Sequence, residues 1–161
     1  MKEIKFTSSV VYESDYGNLK DLSIRNLCDA SVKAIDNAYA PYSNYHVGAS
    51  VLLESGKLVM GNNQENAVYP LGLCEERVAL FNASSLFPNN KVVALAVATE
   101  KELSDGRLPP FPCGSCRQVI LEIEQRYQQS IPIYVIGSDR SVCIINSVKD
   151  ILPFAFDVNS L

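Results

Sequence analysis

Cys74 stands at the start of one helix-patterned segment, and Cys113 and Cys116 share the start of another. If these thiols serve one ion, the fold must bring two helix starts together. Free N–H groups and the helix dipole stabilise anions at such starts, so thiols there lose protons easily. The spacing in Pro112-Cys113-Gly114-Ser115-Cys116 lets two sulfurs reach one ion from a single turn. Zinc is normally four-coordinate, and a catalytic site keeps one position for water. A nearby carboxylate moves protons to and from that water. Cys74-Glu75-Glu76-Arg77 offers two candidates. Glu75 and Glu76 lie about 100° apart around a helix, so only one is expected to face the ion. Three thiolates around a dication leave a net charge of about −1, which weakens a Lewis acid. A guanidinium donating to sulfur drains part of that charge, and Arg77 is the first candidate for this, with Arg117 second.

The plain alternative is a structural zinc knuckle or a redox pair, which a lone C-x-x-C often is. Those usually need a fourth ligand or a thioredoxin-like context. The one histidine, His46, lies in a strand pattern away from any cluster. An open coordination position is therefore expected.

At 161 residues the chain reads as one domain with room for a core. Its net charge of −4 argues against a phosphate-backbone binder, which usually shows a basic stripe. The N-terminal MKEIKFTSSV lacks the apolar centre of a signal peptide, and the apolar run Val92 to Ala98 is too short to cross a bilayer. A cytoplasmic protein with no nucleic-acid or membrane partner is expected. Five cysteines then read as metal or catalytic thiols before disulfides, with Cys28 and Cys143 as core packing.

Residues 1–18 read as an N-terminal extension, a strand or an arm, followed by a single domain over 19–161. Ile24, Cys28, Val32, Ile35 and Tyr39 recur at helical spacing, predicting a helix over 19–40 that Pro41 ends. Strand patterns over 47–53 and 57–61 flank the turn Glu54-Ser55-Gly56. A polar loop over 62–72 leads to a helix over 74–87, a doubly buried strand over 91–99 and a surface loop over 100–112. A third helix over 113–127, strands over 131–137 and 142–146, and a short helix over 147–152 complete the order. Strand–helix–strand units make parallel pairs, and the hairpin makes an antiparallel edge. The expectation is an α/β fold: a mixed five-stranded sheet with helices on both faces.

A Cys-x-Glu followed by Pro-Cys-x-x-Cys is a signature of zinc nucleobase deaminases, with Cys at the position that is elsewhere His. Longer segments agree in order and spacing: Ala40-Pro41-Tyr42-Ser43-Asn44-Tyr45-His46-Val47-Gly48-Ala49, Gly61-Asn62-Asn63-Gln64-Glu65-Asn66-Ala67, Tyr69-Pro70-Leu71-Gly72-Leu73-Cys74-Glu75-Glu76-Arg77 and Pro112-Cys113-Gly114-Ser115-Cys116-Arg117-Gln118. With these the chain resembles the small homotetrameric cytidine deaminases, from about residue 20 onward. The resemblance implies their three-layer fold and one zinc per chain on Cys74, Cys113 and Cys116. It implies Glu76 as proton shuttle, and cytidine, with deoxycytidine, as substrate. Asn63 and Glu65 match the pair that hydrogen-bonds the ribose 3′-hydroxyl. Tyr45 stands where the family has Phe near the pyrimidine. Ala67 and Tyr69 match positions that reach a neighbouring subunit's site, and Phe156 matches an aromatic that closes a neighbour's pocket. Glu75 replaces the family's Ala, whose backbone N–H bonds the base carbonyl oxygen. The N-terminal 18 residues exceed the usual family start. The rival readings are a deaminase of another aminated heterocycle, such as blasticidin S or a modified nucleoside, and a zinc-stabilised binding protein without turnover.

Overall fold

The computed structural model describes residues 3, 5–100 and 110–161. The loop expected over 100–112 falls mostly outside these residues. The described elements are β1 (Val11–Glu13), α1 (Leu22–Ala34), β2 (Val47–Leu53), β3 (Leu58–Asn62), α2 (Glu75–Leu86), β4 (Val92–Thr99), α3 (Gly114–Tyr127), β5 (Ile133–Ile136) and β6 (Val142–Ile145), joined by loops and short 3-10 turns.

One sheet runs in the order β1-β6-β5-β4-β2-β3. β4 and β5 pair in parallel across the α3 crossover, and every other neighbour is antiparallel. The expected five strands are six. The additional one is β1, in register Val11↔Ile144, Tyr12↔Cys143 and Glu13↔Val142. A strand is one of the two readings of residues 1–18, but three residues carry too little alternation to choose it, and pairing needed the free edge of β6. The stretch after β1 is locked to the far end of that edge. Tyr16 N–H donates to Arg140 O at 3.0 Å, and the Arg140 guanidinium pairs with Asp15 at 3.0 Å.

Helices cover both faces, as expected. On one face Leu27 and Cys28 of α1 meet Leu52, Ala94, Ala96 and Ala98. On the other, Ala79, Leu80 and Ala83 of α2 and Ile120, Leu121 and Ile123 of α3 meet Val51, Leu95 and Val97. Alternation along β4 thus puts alanines beneath α1 and larger residues beneath α2 and α3. Two glycines set how closely the helices sit. A Cβ on Gly48 would come within 2.2 Å of Ser31 O, and one on Gly61 within 2.4 Å of Ala79 N and 2.8 Å of Glu75 O. Gly61 therefore lets the first turn of α2, with Cys74 at its cap, press directly on β3.

Two helices are shorter than periodicity predicts. Asp21 caps α1 through Ser23 N–H at 2.8 Å, and after Ala34 the chain tightens into a 3-10 turn at Ile35–Asn37, well before Pro41. Only a single 3-10 turn, Val148–Asp150, stands where a helix over 147–152 was expected.

A buried carboxylate ties the end of α3 to the rest. Glu124 is 4% exposed. It accepts from Ile131 N–H at 2.9 Å, Ser147 Oγ at 2.8 Å and Val148 N–H at 3.2 Å. Glu124→Ala strands these three donors and is expected to cost about 3 kcal/mol or more. The check is a urea titration, in which an unchanged midpoint would contradict the clamp.

Candidate metal centre and active site

Cys74 caps α2 and Cys113 caps α3, each in extended backbone with no side-chain cap bond of its own. The sheet packs both helices on one face and so brings their N-termini together. Cys74 Sγ lies 3.8 Å from Cys113 Sγ, and Cys113 Sγ lies 3.5 Å from Cys116 Sγ. All three sulfurs fall within 4.8 Å of one another, the only such metal-capable group among the described residues. Tetrahedral zinc with Zn–S bonds of about 2.3 Å needs sulfur–sulfur edges of about 3.8 Å. The spacing of the trio fits that ion.

Glu76 is 2% exposed, and its Oε2 has no hydrogen-bond partner among the described residues. A buried carboxylate oxygen without a partner is costly and calls for an ion, water or ligand. Burial pushes the Glu76 carboxyl above its usual range. Glu75, 8% exposed, is pushed up to about 9, first by burial and then by the neighbouring Glu76. Glu75 and Glu76 are both among the residues that line the cavity. The first turn of α2 lies at the cavity wall, so two adjacent positions reach it.

Arg77 Nη2 donates to Cys74 Sγ at 3.6 Å and to Gly72 O at 3.4 Å. The Cys74 thiol is pulled down to about 5, first by the hydrogen bond from the Cys116 thiol and then by Arg77. That same bond, together with burial, pushes Cys116 up. Arg117 behaves otherwise than Arg77: its side chain donates to Pro112 O at 2.6 Å and Ile151 O at 2.7 Å, both carbonyls rather than sulfur.

The cavity measures about 680 Å³. Its wall carries Tyr45, Asn63, Glu65, Tyr69, Cys74, Glu75, Glu76, Arg77 and Cys113. Ala67 and Phe156 are not in it, and Phe156 is exposed. Tyr69 stacks edgewise on Tyr42 at 5.7 Å and stands at the wall of its own chain's cavity. Asn63 and Glu65 shape the turn between α1 and β2. Asn63 Nδ2 donates to Tyr45 O at 2.8 Å and its Oδ1 accepts from Val47 N–H at 3.0 Å. Glu65 Oε2 accepts from the N–H groups of Tyr42 at 2.8 Å and Ser43 at 3.2 Å. The Tyr45 hydroxyl lies 2.6 Å from Thr99 Oγ1, which anchors the ring at the end of β4.

Sequence reasoning did not single out Tyr42, Phe111 and Thr99. Tyr42 sits inside a motif segment and was open to recognition. Phe111 only precedes Pro112, and Thr99 ends an apolar strand with no local signal. No helix among the described residues is long and apolar enough to cross a membrane.

The sequence profile of the cytidine and deoxycytidylate deaminase zinc-binding region matches residues 23–129. A cytidine deaminase of Halalkalibacterium halodurans is 43% identical over 135 residues, covering 84% of this chain and 95% of that protein. One from Sporosarcina psychrophila is 36% identical over 141 residues, covering 87% and 96%. The crystal structure of cytidine deaminase from Burkholderia pseudomallei superposes with a TM-score of 0.70 at 37% identity, over 82% of this chain and 98% of that one. The profile match and the 43% identity over most of both chains show that the chain belongs to the cytidine and deoxycytidylate deaminase family.

Proposed function

We propose that the chain is a zinc-dependent hydrolase that converts cytidine and water to uridine and ammonia. The observation that carries this reading is the trio of sulfurs at zinc spacing beside the unpartnered oxygen of Glu76. Cys74, Cys113 and Cys116 would hold the ion, one per chain, and bound zinc would supply a Lewis acid that acidifies water.

The remaining steps belong to the chain's own groups. Glu76 takes one proton from the attacking water and passes it to the ring nitrogen, then takes the second proton of that oxygen as the carbonyl forms and delivers it to the amino group as it leaves. Burial raises the carboxyl's affinity for the proton it takes from water. The N–H of Glu75, in the free N-terminal turn of α2, would bond the base carbonyl oxygen. Arg77 draws negative charge from Cys74. Asn63 and Glu65, already fixed to the turn over residues 42–45, present polar groups to a ribose 3′-hydroxyl. Tyr45, held by Thr99, offers a ring face to the pyrimidine.

Deoxycytidine shares the 3′-hydroxyl and fits the same reading, which places the enzyme in pyrimidine salvage in the cytoplasm. A homotetramer with shared sites accounts for the exposure of Tyr69 and Phe156, two large aromatics with 73% and 62% of their surface open. A second reading, a deaminase of a modified nucleoside, is favoured by Glu75 among the residues lining the cavity, where the family has Ala.

The deciding experiment follows cytidine by its ultraviolet absorbance, with ammonia release as a second readout. Turnover is expected with zinc and is abolished by a chelator. Free cytosine is expected to be a poor substrate, because the sugar's binding energy helps position the base. Glu65→Ala is expected to lower cytidine turnover strongly with zinc content unchanged. Equal rates on cytosine and cytidine would sink the nucleoside reading.

A further inference from the structure

We propose that Arg117 is a positioning residue that staples the turn bearing Cys113 and Cys116, taking the zinc reading above as its basis. Of the three sulfur ligands, Cys113 is exposed, Cys74 is intermediate and Cys116 is buried. Cys113 has the least packing to fix it. It also sits in extended backbone, φ −65° and ψ 166°, ahead of the first helical residue of α3. Something other than the core must hold it in place.

Arg117 does so from the other side of the motif. It follows Cys116 directly, yet its Nε reaches back to donate to Pro112 O, 2.6 Å away, on the residue just before Cys113. Its backbone N–H donates to Cys113 O at 2.9 Å. That backbone bond is the first i→i−4 bond of α3 and needs no particular side chain, so it is the Nε bond to Pro112 O by which Arg117 closes a ring around the two-thiol turn. The other limb of the fork, Nη1, donates to Ile151 O at 2.7 Å and anchors that ring to the C-terminal segment. Gln118 adds a second tie, from Nε2 to Phe156 O at 2.8 Å.

The guanidinium suits this place. Its donors lie in a rigid plane and address two carbonyls at once, which a lysine ammonium cannot do from one position. Among the described residues no carboxylate pairs with Arg117. Its charge therefore stays beside a turn that carries two thiolates. Outer groups that orient metal ligands typically carry about 10–100-fold in metal affinity.

The test compares zinc release with global stability. Zinc-loaded unaltered protein, Arg117→Gln, Arg117→Lys and Leu27→Val are mixed with a chromophoric chelator, and their thermal midpoints are measured separately. Leu27 lies in the core on the opposite face of the sheet, so its variant reports loss of stability alone. Arg117→Gln is expected to release zinc about 10–100-fold faster, with Arg117→Lys between it and the unaltered chain. Leu27→Val is expected to melt earlier and release zinc at the unaltered rate. In cobalt-loaded protein the thiolate-to-metal absorption is expected to change for Arg117→Gln and to stay constant for Leu27→Val. Zinc release by Arg117→Gln at the unaltered rate overturns the staple, as does release that follows the thermal midpoint equally in all variants. Should Arg117→Gln fail to fold, Arg117→Lys is judged by the same comparison. An unaltered chain that binds no zinc would instead overturn the zinc reading itself.

Discussion

Glu76→Gln is expected to keep its zinc and to lose at least ~100-fold of its turnover on cytidine. The amide matches the carboxylate in size, so the tightly packed first turn of α2 has no reason to move. Glu76 is 2% exposed and its Oε2 has no partner among the described residues, so at that oxygen the substitution breaks no hydrogen bond. Glu75→Ala is the matching control. It restores the residue usual in the family at the neighbouring position, and activity is expected to survive. Initial rates from absorbance, with zinc from elemental analysis, separate the two. If Glu75→Ala is inactive and Glu76→Gln is normal, the two roles are reversed.

Cys113→Ala is expected to lose zinc and activity together. Cys113 Sγ lies 3.8 Å from Cys74 Sγ and 3.5 Å from Cys116 Sγ. Removing it leaves two sulfurs, too few to close a site with three protein ligands. Because Cys113 is exposed and caps α3 without a side-chain bond, the fold has little else to lose. Purified variant and unaltered protein are compared by elemental analysis and by cytidine turnover. Full zinc retention in the variant would rule out Cys113 as a required ligand.

Much of the site was legible because its chemistry lies in short motifs. Cys74 and Glu76 sit in one segment and Cys113 and Cys116 in another, and each pair's internal geometry follows from helical spacing. The helix starts were legible too, since a cap is a local event. Less local features were missed or shifted. The sixth strand depends on the edge that β6 offers to Val11–Glu13. The shared cavity wall of Glu75 and Glu76 depends on how α2 lies against β3, which Gly61 permits. Proximity in sequence makes Arg117 the second candidate for a sulfur partner. In the fold the carbonyls of Pro112 and Ile151 lie within hydrogen-bonding reach of its fork, and Ile151 arrives from the far end of the chain.

The sequence by itself determined the layered α/β class and pointed to the candidate sulfur trio and the acids beside Cys74. Periodicities of two and of about 3.6 residues, and ligand spacing within one turn, are properties of contiguous chain. Tertiary structure alone decided the distance between the two helix starts and the partners of Asn63, Glu65, Tyr45 and Arg117. Those depend on sheet order, since β3, β2 and β4 must lie side by side before α2 and α3 can share a face and close the sulfurs to within 4.8 Å.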